Sequence, residues 1–564
     1  MIATYLLPII IVITALLLSR KIWVRLRLSK AKHPSLRGHS KWSRRIAKII
    51  PTFDYDESEF FSSDNAPADV IDQRQQAFTK LTILLDKKFA KTTEFYNSLE
   101  GSISDIAFTN AYRVPFPYRQ YLSQHLKLGS MVVESSGVKV KDLDDNWSYD
   151  LTGSYGVNVF GYDFYKTCME QGAEQVKALG PVLGPYHPII KDNVEQLKAL
   201  SGLDEVSFHM SGTEAVMQAV RLARYHTGKT HLVRLCGAYH GWWDGVQPGI
   251  GNQRKTNDVY TLSDMSERTL DVLETRNDIA CVLINPLQGL HPNADASGDA
   301  SLVNSSRSAS FDKAAYTHWL KQLREVCTRR SIVLIFDEVF TGFRLAYRGA
   351  QEYFDIQADM VTYGKTLGGG LPVGVVCGKH ALMQRFKPNR PVNVSFARGT
   401  FNSHPYVLAS MNVFLNRIKE DDIQQQYQSL DDTWNKRVAT LNSLFEENKL
   451  PVKIANLSSI WTILYTQPSR YNWMYQYYLR AHGLALSWVG SGRIIMSHNF
   501  TDDDFEQVTN RFIDAAKEMK ADGWWWKNDQ LSDKSIKKQI VRGMLNAYFP
   551  RLCKSVNKPN NKPN

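Results

Sequence analysis

Leu334-Ile-Phe-Asp-Glu-Val-Phe-Thr-Gly-Phe-Arg344, followed by Tyr363-Gly-Lys-Thr-Leu-Gly-Gly-Gly-Leu-Pro-Val-Gly374, decides the fold. The apolar, β-branched run from Ile332 to Phe336 predicts a buried strand. It delivers two carboxylates, Asp337 and Glu338, at its C-terminal end, where open α/β sheets place ligands. A second short strand, Met360 to Tyr363, presents Lys365 just before a glycine-rich turn. A carboxylate after a strand is commonly a helix cap, and a lysine before glycines is commonly a solvated loop residue. In this order, however, the pair fits one cofactor chemistry. A lysine amine holds an aldehyde as a Schiff base, and a carboxylate keeps a pyridine nitrogen protonated so that the ring accepts electrons. The expected cofactor is pyridoxal 5'-phosphate, with Asp337 and Lys365 as the catalytic residues.

The same two segments resemble the class III (fold type I) aminotransferases, and within them the glutamate-1-semialdehyde aminomutase branch. That branch has the pattern DEV-x-TGFR-x-A-x-x-GAQ-x-YF and GK-x-x-GGGLPVG. The resemblance implies an α/β large domain with a mostly parallel sheet and a smaller α+β domain. It also implies an amino group moved from a donor to a keto or aldehyde acceptor, with an intramolecular amino shift or a catalytically inactive membrane scaffold as alternatives.

Upstream, Val206-Ser-Phe-His-Met-Ser-Gly-Thr-Glu-Ala215 passes from a strand into a helical pattern, Val216 to Tyr225. Ser211, Gly212 and Thr213 therefore head a helix, where unpaired N–H groups and the helix dipole favour a phosphate. A plain Ser/Thr cap with Glu214 in the first turn is the simpler explanation. By resemblance SGTEA is the family's phosphate-binding turn. The strand-like run Thr230 to Leu235 ends in Cys236-Gly-Ala-Tyr-His-Gly-Trp-Trp-Asp244. The resemblance places Tyr239 on one face of the cofactor ring, Val339 on the other, and His240 beside the cofactor; a histidine next to a glycine turn is otherwise structural.

Arg398-Gly-Thr-Phe-Asn-Ser-His-Pro405 resembles the segment in which a threonine from a neighbouring subunit touches the phosphate, so Thr400 implies a homodimer. Asn285 stands where many class III enzymes have glutamate, a neutral amide in place of a charge, which opens the choice of amino donor. Phe340 occupies a place where several class III enzymes carry glutamine and the aminomutase branch an apolar residue. Arg113 and Arg119 compete for the position that reads a substrate carboxylate, and Tyr155 falls where relatives line the substrate pocket with an aromatic residue. A buried core tyrosine is the structural alternative for Tyr155.

The ends of the chain carry a different signal. Met1 to Ser19 holds no charge, and Tyr5 to Leu18 is apolar apart from Pro8 and Thr14, which predicts a transmembrane helix. Arg20 to Lys48 then holds eleven Lys/Arg and no acid, leaving 57 basic against 56 acidic residues after Ile50. A basic block flanking an apolar run points to a single-pass membrane protein whose catalytic domain faces the cytoplasm. The net charge of +12 therefore argues for no nucleic-acid partner. A tethered enzyme is expected to meet a small-molecule or amphiphilic carbonyl acceptor and an amino donor.

The six cysteines, Cys168, Cys236, Cys281, Cys327, Cys377 and Cys553, lack metal-ligand spacing and read as buried thiols. No metal site is expected. The organisation expected is 1–24 anchor, 25–50 basic juxtamembrane segment, 51–100 N-terminal extension and 101–170 small-domain and lid segment. It continues with 171–405 cofactor-binding domain, 406–523 C-terminal small domain and 524–564 basic tail, whose stretch from Ile536 to Leu552 is loosely amphipathic and expected at a membrane surface.

Overall fold

A computed structural model describes residues 2–30, 45, 47–247, 251–254, 256–290, 305, 309–487 and 492–548. Most of the basic block, Cys553 and the end of the tail lie outside these residues. The chain divides into two compact units. The first comprises Met1–Arg45, Val176–Ala294 and Asp312–Leu415, and the second Ile46–Gln175, Asp295–Phe311 and Asn416–Asn564.

The first unit is built on a seven-stranded sheet. Its strands in chain order are β1 (Glu205–His209), β2 (His231–Leu235), β3 (Val259–Leu262), β4 (Ile279–Ile284), β5 (Val333–Asp337), β6 (Met360–Gly364) and β7 (Gly374–Gly378). Their spatial order is β1-β7-β6-β5-β4-β2-β3. All neighbours pair in parallel except β7, which runs antiparallel to both β1 and β6. Every residue of β4, β5, β6 and β7 is buried. This matches their continuous apolar sequence, because crossover helices cover both faces of a parallel sheet.

The helix Gly212–Thr227 supplies one such cover. Ser211 caps its start, and Gly228, at φ +67°, ends it in the left-handed conformation that glycine adopts at least cost. Its apolar face, Ala215, Val216, Ala219 and Leu222, packs into one core with Leu283 and Ile335 of the sheet.

The second unit holds a four-stranded and a three-stranded sheet around an aromatic-rich core that includes Trp434, Trp461, Trp473 and Trp524. Residues of the N-terminal extension belong to this core: Phe60, Phe61 and Phe78 are buried in it. Arg74 is fully buried, pairs with Asp64 at 2.7 Å, and donates to the Phe61 and Gly523 carbonyls. A buried charge held this way is costly to break, by about 3–5 kcal/mol when one partner is removed. The extension is therefore fastened to residues more than four hundred positions away.

The structure corrects the expectation for the start of the chain. Residues Ile2–Lys30 form one helix with Pro8 inside it. Among the described residues no helix is long and apolar enough to cross a membrane. The transmembrane anchor is thereby overturned, and with it the membrane partner, the single-pass topology and the cytoplasm-facing placement. Of the stretch expected at a membrane surface, helix Asp533–Tyr548 buries Ile536 in the second unit's core and packs Ile540 against it, while Val541, Leu545 and Tyr548 are exposed; residues 549–552 lie outside the described residues.

Among the cysteines, Cys168, Cys281, Cys327 and Cys377 are buried free thiols and Cys236 is half-buried. Burial pushes the first four up to about 12, so they remain protonated.

Candidate functional site

The C-terminal ends of β5 and β6 and the start of helix Gly212–Thr227 converge in the first unit. Val339, two residues past β5, sits against the helix start so closely that a Cβ on Gly212 would lie 2.6 Å from its Cγ1. The same methyl stands 3.2 Å from the Cβ position of Gly364, the residue before Lys365. On the next loop, Gly241 has φ +87°, and a Cβ there would come within 2.4 Å of the Thr213 hydroxyl. Only glycine meets both demands at Gly241. The glycines thus draw Thr213, His240, Val339 and Lys365 into one cluster.

Asp337 is its electrostatic centre. The side chain is 3 % exposed. Its Oδ2 lies 2.7 Å from His240 Nδ1, while Oδ1 accepts from the Thr362 hydroxyl and the Val339 N–H, each at 3.2 Å. A carboxylate offers roughly four lone-pair sites. Three donors fix the group and leave one site to spare. His240 is buried as well, and its Nε2 has no hydrogen-bond partner among the described residues. Tyr239 is exposed, and its phenol is pushed up by partial burial and by the nearby Asp337 charge.

Lys365 opens a short 3-10 turn directly after β6. Its φ of +48° is left-handed, an uncommon state for a side chain with a Cβ and one that concentrates at functional sites. The ammonium nitrogen lies 4.6 Å from the centre of the Phe340 ring, within cation–π range.

At the helix start the three predicted residues divide their work. Ser211 Oγ accepts the Glu214 N–H at 3.3 Å, and the Glu214 carboxylate accepts the Met210 N–H at 3.0 Å, so the serine hydroxyl caps the helix. Gly212 and Thr213 occupy the first turn, where intrahelical acceptors are missing. Asn285, at the end of β4, accepts the Leu287 N–H at 3.2 Å and so caps the following turn. Thr400 is exposed on a turn, next to Gly399, whose Cβ position is 3.8 Å from the Glu214 carboxylate.

Arg113, Arg119 and Tyr155 lie in the second unit. Arg119 is half-buried, donates from Nε to the Val114 carbonyl at 3.0 Å, and covers the Tyr112 ring at 4.5 Å. Arg113 is 5 % exposed and reaches the Leu128 carbonyl at 3.4 Å. Tyr155 is exposed and left-handed at φ +57°, directly after Ser154 at +45°. Sequence reasoning missed Thr362. Its place beside Asp337 comes from the register of β5 against β6, in which the two are Cα partners.

Glu338, the second carboxylate of the opening motif, has a separate task. It is buried and accepts the Ala350 N–H at 2.6 Å and the Gln351 N–H at 3.3 Å, at the start of helix Ala350–Phe354. Burial, and then the Asp337 charge, push it from 4.5 up to about 8 against the pull of those two N–H groups. The folded chain therefore keeps a proton that the unfolded chain releases above about pH 4.5. Stability from this group is full below 4.5, falls as pH rises toward 8, and then levels. Glu338→Gln should flatten that decline and raise the melting temperature relative to the wild type at pH 8–9. Thermal melts at pH 5 and pH 9 check it; parallel wild-type and variant curves would contradict the assignment.

A family model described as aminotransferase class-III matches residues 121–516. The curated glutamate-1-semialdehyde 2,1-aminomutase of Nitratidesulfovibrio vulgaris (strain DP4) is 29 % identical over 405 residues, 69 % of this chain and 91 % of the relative. Two solved structures share the fold. A glutamate-1-semialdehyde-aminomutase from Pseudomonas aeruginosa PAO1, in complex with PMP, has a TM-score of 0.64 at 17 % identity, over 79 % of this chain and 99 % of the other. An omega-transaminase from Sphaerobacter thermophilus has a TM-score of 0.62 at 21 % identity, over 76 % and 98 %. With the family match spanning well over half its length, the chain belongs to the class III aminotransferases.

Proposed function

We propose that the Lys365–Asp337 cluster moves an amino group between neighbouring carbons of one substrate, in the manner of the aminomutase branch. The observation that carries this reading is the fixed, buried Asp337 beside a left-handed Lys365 at the head of the Gly212 helix. Pyridoxal 5'-phosphate is the cofactor. It supplies an aldehyde for a lysine amine and a ring that takes up the electrons of a C–H bond broken beside nitrogen.

Residues already present fit that group. The spare lone pair of Asp337 holds a proton on a ring nitrogen, and His240, with Thr362, fixes the carboxylate that does so. The first-turn N–H groups of Gly212 and Thr213, with Ser211 holding the turn in shape, receive a phosphate. Val339 and Tyr239 bound the two faces of a flat ring. Lys365 would anchor the cofactor through its amine and, as a free amine, would serve as the base that holds a proton at the reacting carbons. Asn285 offers an amide in place of a charge to the substrate side, and Thr400 completes a phosphate site across a homodimer.

The sequence alone put transfer between two molecules first. The curated aminomutase, matched over nine-tenths of its length, favours the intramolecular shift. Substrate-only turnover distinguishes them. Purified holoprotein given glutamate-1-semialdehyde, or another vicinal amino aldehyde, without any amino donor should form the isomer and release no keto acid. A strict need for a second amino compound, with an equimolar keto product, would assign intermolecular transamination instead.

A further inference from the structure

A cleft of about 610 Å³ opens in the first unit, a volume in the range of small-ligand sites. Val333, the first residue of β5, and Asp359, the residue before β6, belong to its wall. Lys365 follows the other end of β6, so the cleft lies a strand length away from it, about 16 Å. Ile332, Val333 and Leu382, all buried, supply its apolar lining. Helices Gly212–Thr227 and Lys313–Arg329 both end beside it, and the first brings His226 to its rim.

The charges around the cleft do not balance. Lys229, Arg324 and Lys379 line it, and Asp359 is the one acid among its described lining residues. Asp359 accepts from Arg324 at 2.8 Å and from Lys379. Against burial, which raises it, the bonds from Lys379 and the Leu334 N–H and the Arg324 charge hold its carboxyl below the usual range, so it stays ionised. Lys229 donates instead to the Arg330 and Ser331 carbonyls, at 3.3 and 3.2 Å. Burial, and next the Arg330 charge, push its ammonium down against the pull of Asp278, itself paired with Arg276 at 3.9 Å. The carbonyl ends of the two helices add roughly half a negative charge each. These four cations therefore face one carboxylate and about one charge of helix dipole, an excess of about two positive charges.

Donors are available as well as charge. An ammonium has three N–H groups. Among the described residues Lys229 spends two of them on carbonyls and Lys379 one on Asp359, which leaves three for a ligand. Arg324, by contrast, is held by Asp359 and by Thr328 Oγ1 at 3.1 Å. We propose that this cleft binds a phosphate monoester with a flat apolar body of mononucleotide size. The phosphate meets Lys229 and Lys379, which read it as a point charge, and the body lies on Ile332 and Leu382. Such a group carries about −1.5 to −2 near neutral pH, close to the charge that the cleft lacks. The site is separate from that of the cofactor and does not depend on the amino-transfer reading.

The test uses full-length holoprotein, whose cofactor site is filled, and calorimetry with three probes: adenosine 5'-monophosphate, adenosine and inorganic phosphate. The monophosphate should bind about tenfold or more tighter than either fragment, since it alone makes both the charged and the apolar contacts. Lys379→Gln and Lys229→Gln should each weaken it by about tenfold, the size of one lost charge-assisted hydrogen bond. The melting temperature and the visible absorbance of bound cofactor should stay as in wild type. Lys379 is half-exposed, so its variant should fold; if Lys229→Gln does not, Lys379→Gln alone decides. A monophosphate that binds no tighter than adenosine, or that binds wild type and Lys379→Gln alike, overturns the proposal. Inorganic phosphate that binds as tightly as the monophosphate overturns it too, because the apolar lining would then contribute nothing.

Discussion

Lys365→Ala is expected to lower turnover by on the order of 10³-fold or more, as removal of a nucleophile that also serves as the proton carrier does. The side chain projects from a turn whose backbone is set by β6 and the following glycines, so the fold should survive. Alanine tolerates a left-handed φ no better than lysine does, which keeps the backbone cost of the change small. The check is a pair of measurements on one preparation: steady-state turnover, and thermal melting of the cofactor-free protein. A large loss of rate with an unchanged melt is the expected result. Residual turnover within tenfold of wild type would remove Lys365 from the chemistry.

Asp337→Asn should cost about 3–4 kcal/mol in the proton-abstraction step, roughly 10²- to 10³-fold in rate, the size typical of a lost preorganised electrostatic contact. The amide keeps the shape of the carboxylate. Its oxygen can still accept from Thr362 and Val339, but its NH₂ faces His240 Nδ1, which must then present its lone pair. The side chain no longer stabilises a protonated ring nitrogen. Cofactor should bind, because Gly212, Thr213 and Lys365 are untouched. Single-turnover rates measured with substrate in excess carry the prediction. Rates near wild type would mean that the 2.7 Å contact with His240 serves structure alone.

Much of the first unit was legible in the chain. Continuous apolar runs predict strands ending near Leu235, Phe336 and Tyr363, and the structure places strands His231–Leu235, Val333–Asp337 and Met360–Gly364 there. The helix read from Val216 to Tyr225 begins four residues earlier, because its first turn is Gly212 to Ala215 and carries the cap rather than the apolar repeat. Side-chain roles that depend on register were not legible. Thr362 reaches Asp337 across a strand pair, and nothing in the local sequence states which residue of β6 will face which residue of β5.

The ends of the chain misled for a physical reason too. Hydropathy reads residue type along one strand of sequence, and the run from Tyr5 to Leu18 is apolar by that measure. In the structure that run belongs to the helix Ile2–Lys30, which holds Pro8 and continues through Arg20 and Lys21, and no helix among the described residues is long and apolar enough to cross a membrane. In the tail, the three tryptophans from Trp524 and the apolar positions Ile536 and Ile540 have the pattern of a surface-seeking helix. Trp524, Trp525 and Ile536 are instead buried in the second unit, with Ile540 packed against them. An amphipathic pattern states that one face seeks an apolar partner without stating which.

The central claim is that the cofactor is carried by Lys365 in the cluster around Asp337, and borohydride reduction tests it most directly. Holoprotein is reduced, digested and mapped by mass spectrometry. The account predicts one modified peptide, containing Tyr363-Gly-Lys365-Thr, with the added mass of reduced pyridoxal phosphate on that lysine. A label on any other lysine, or none in a preparation that holds cofactor, would contradict it.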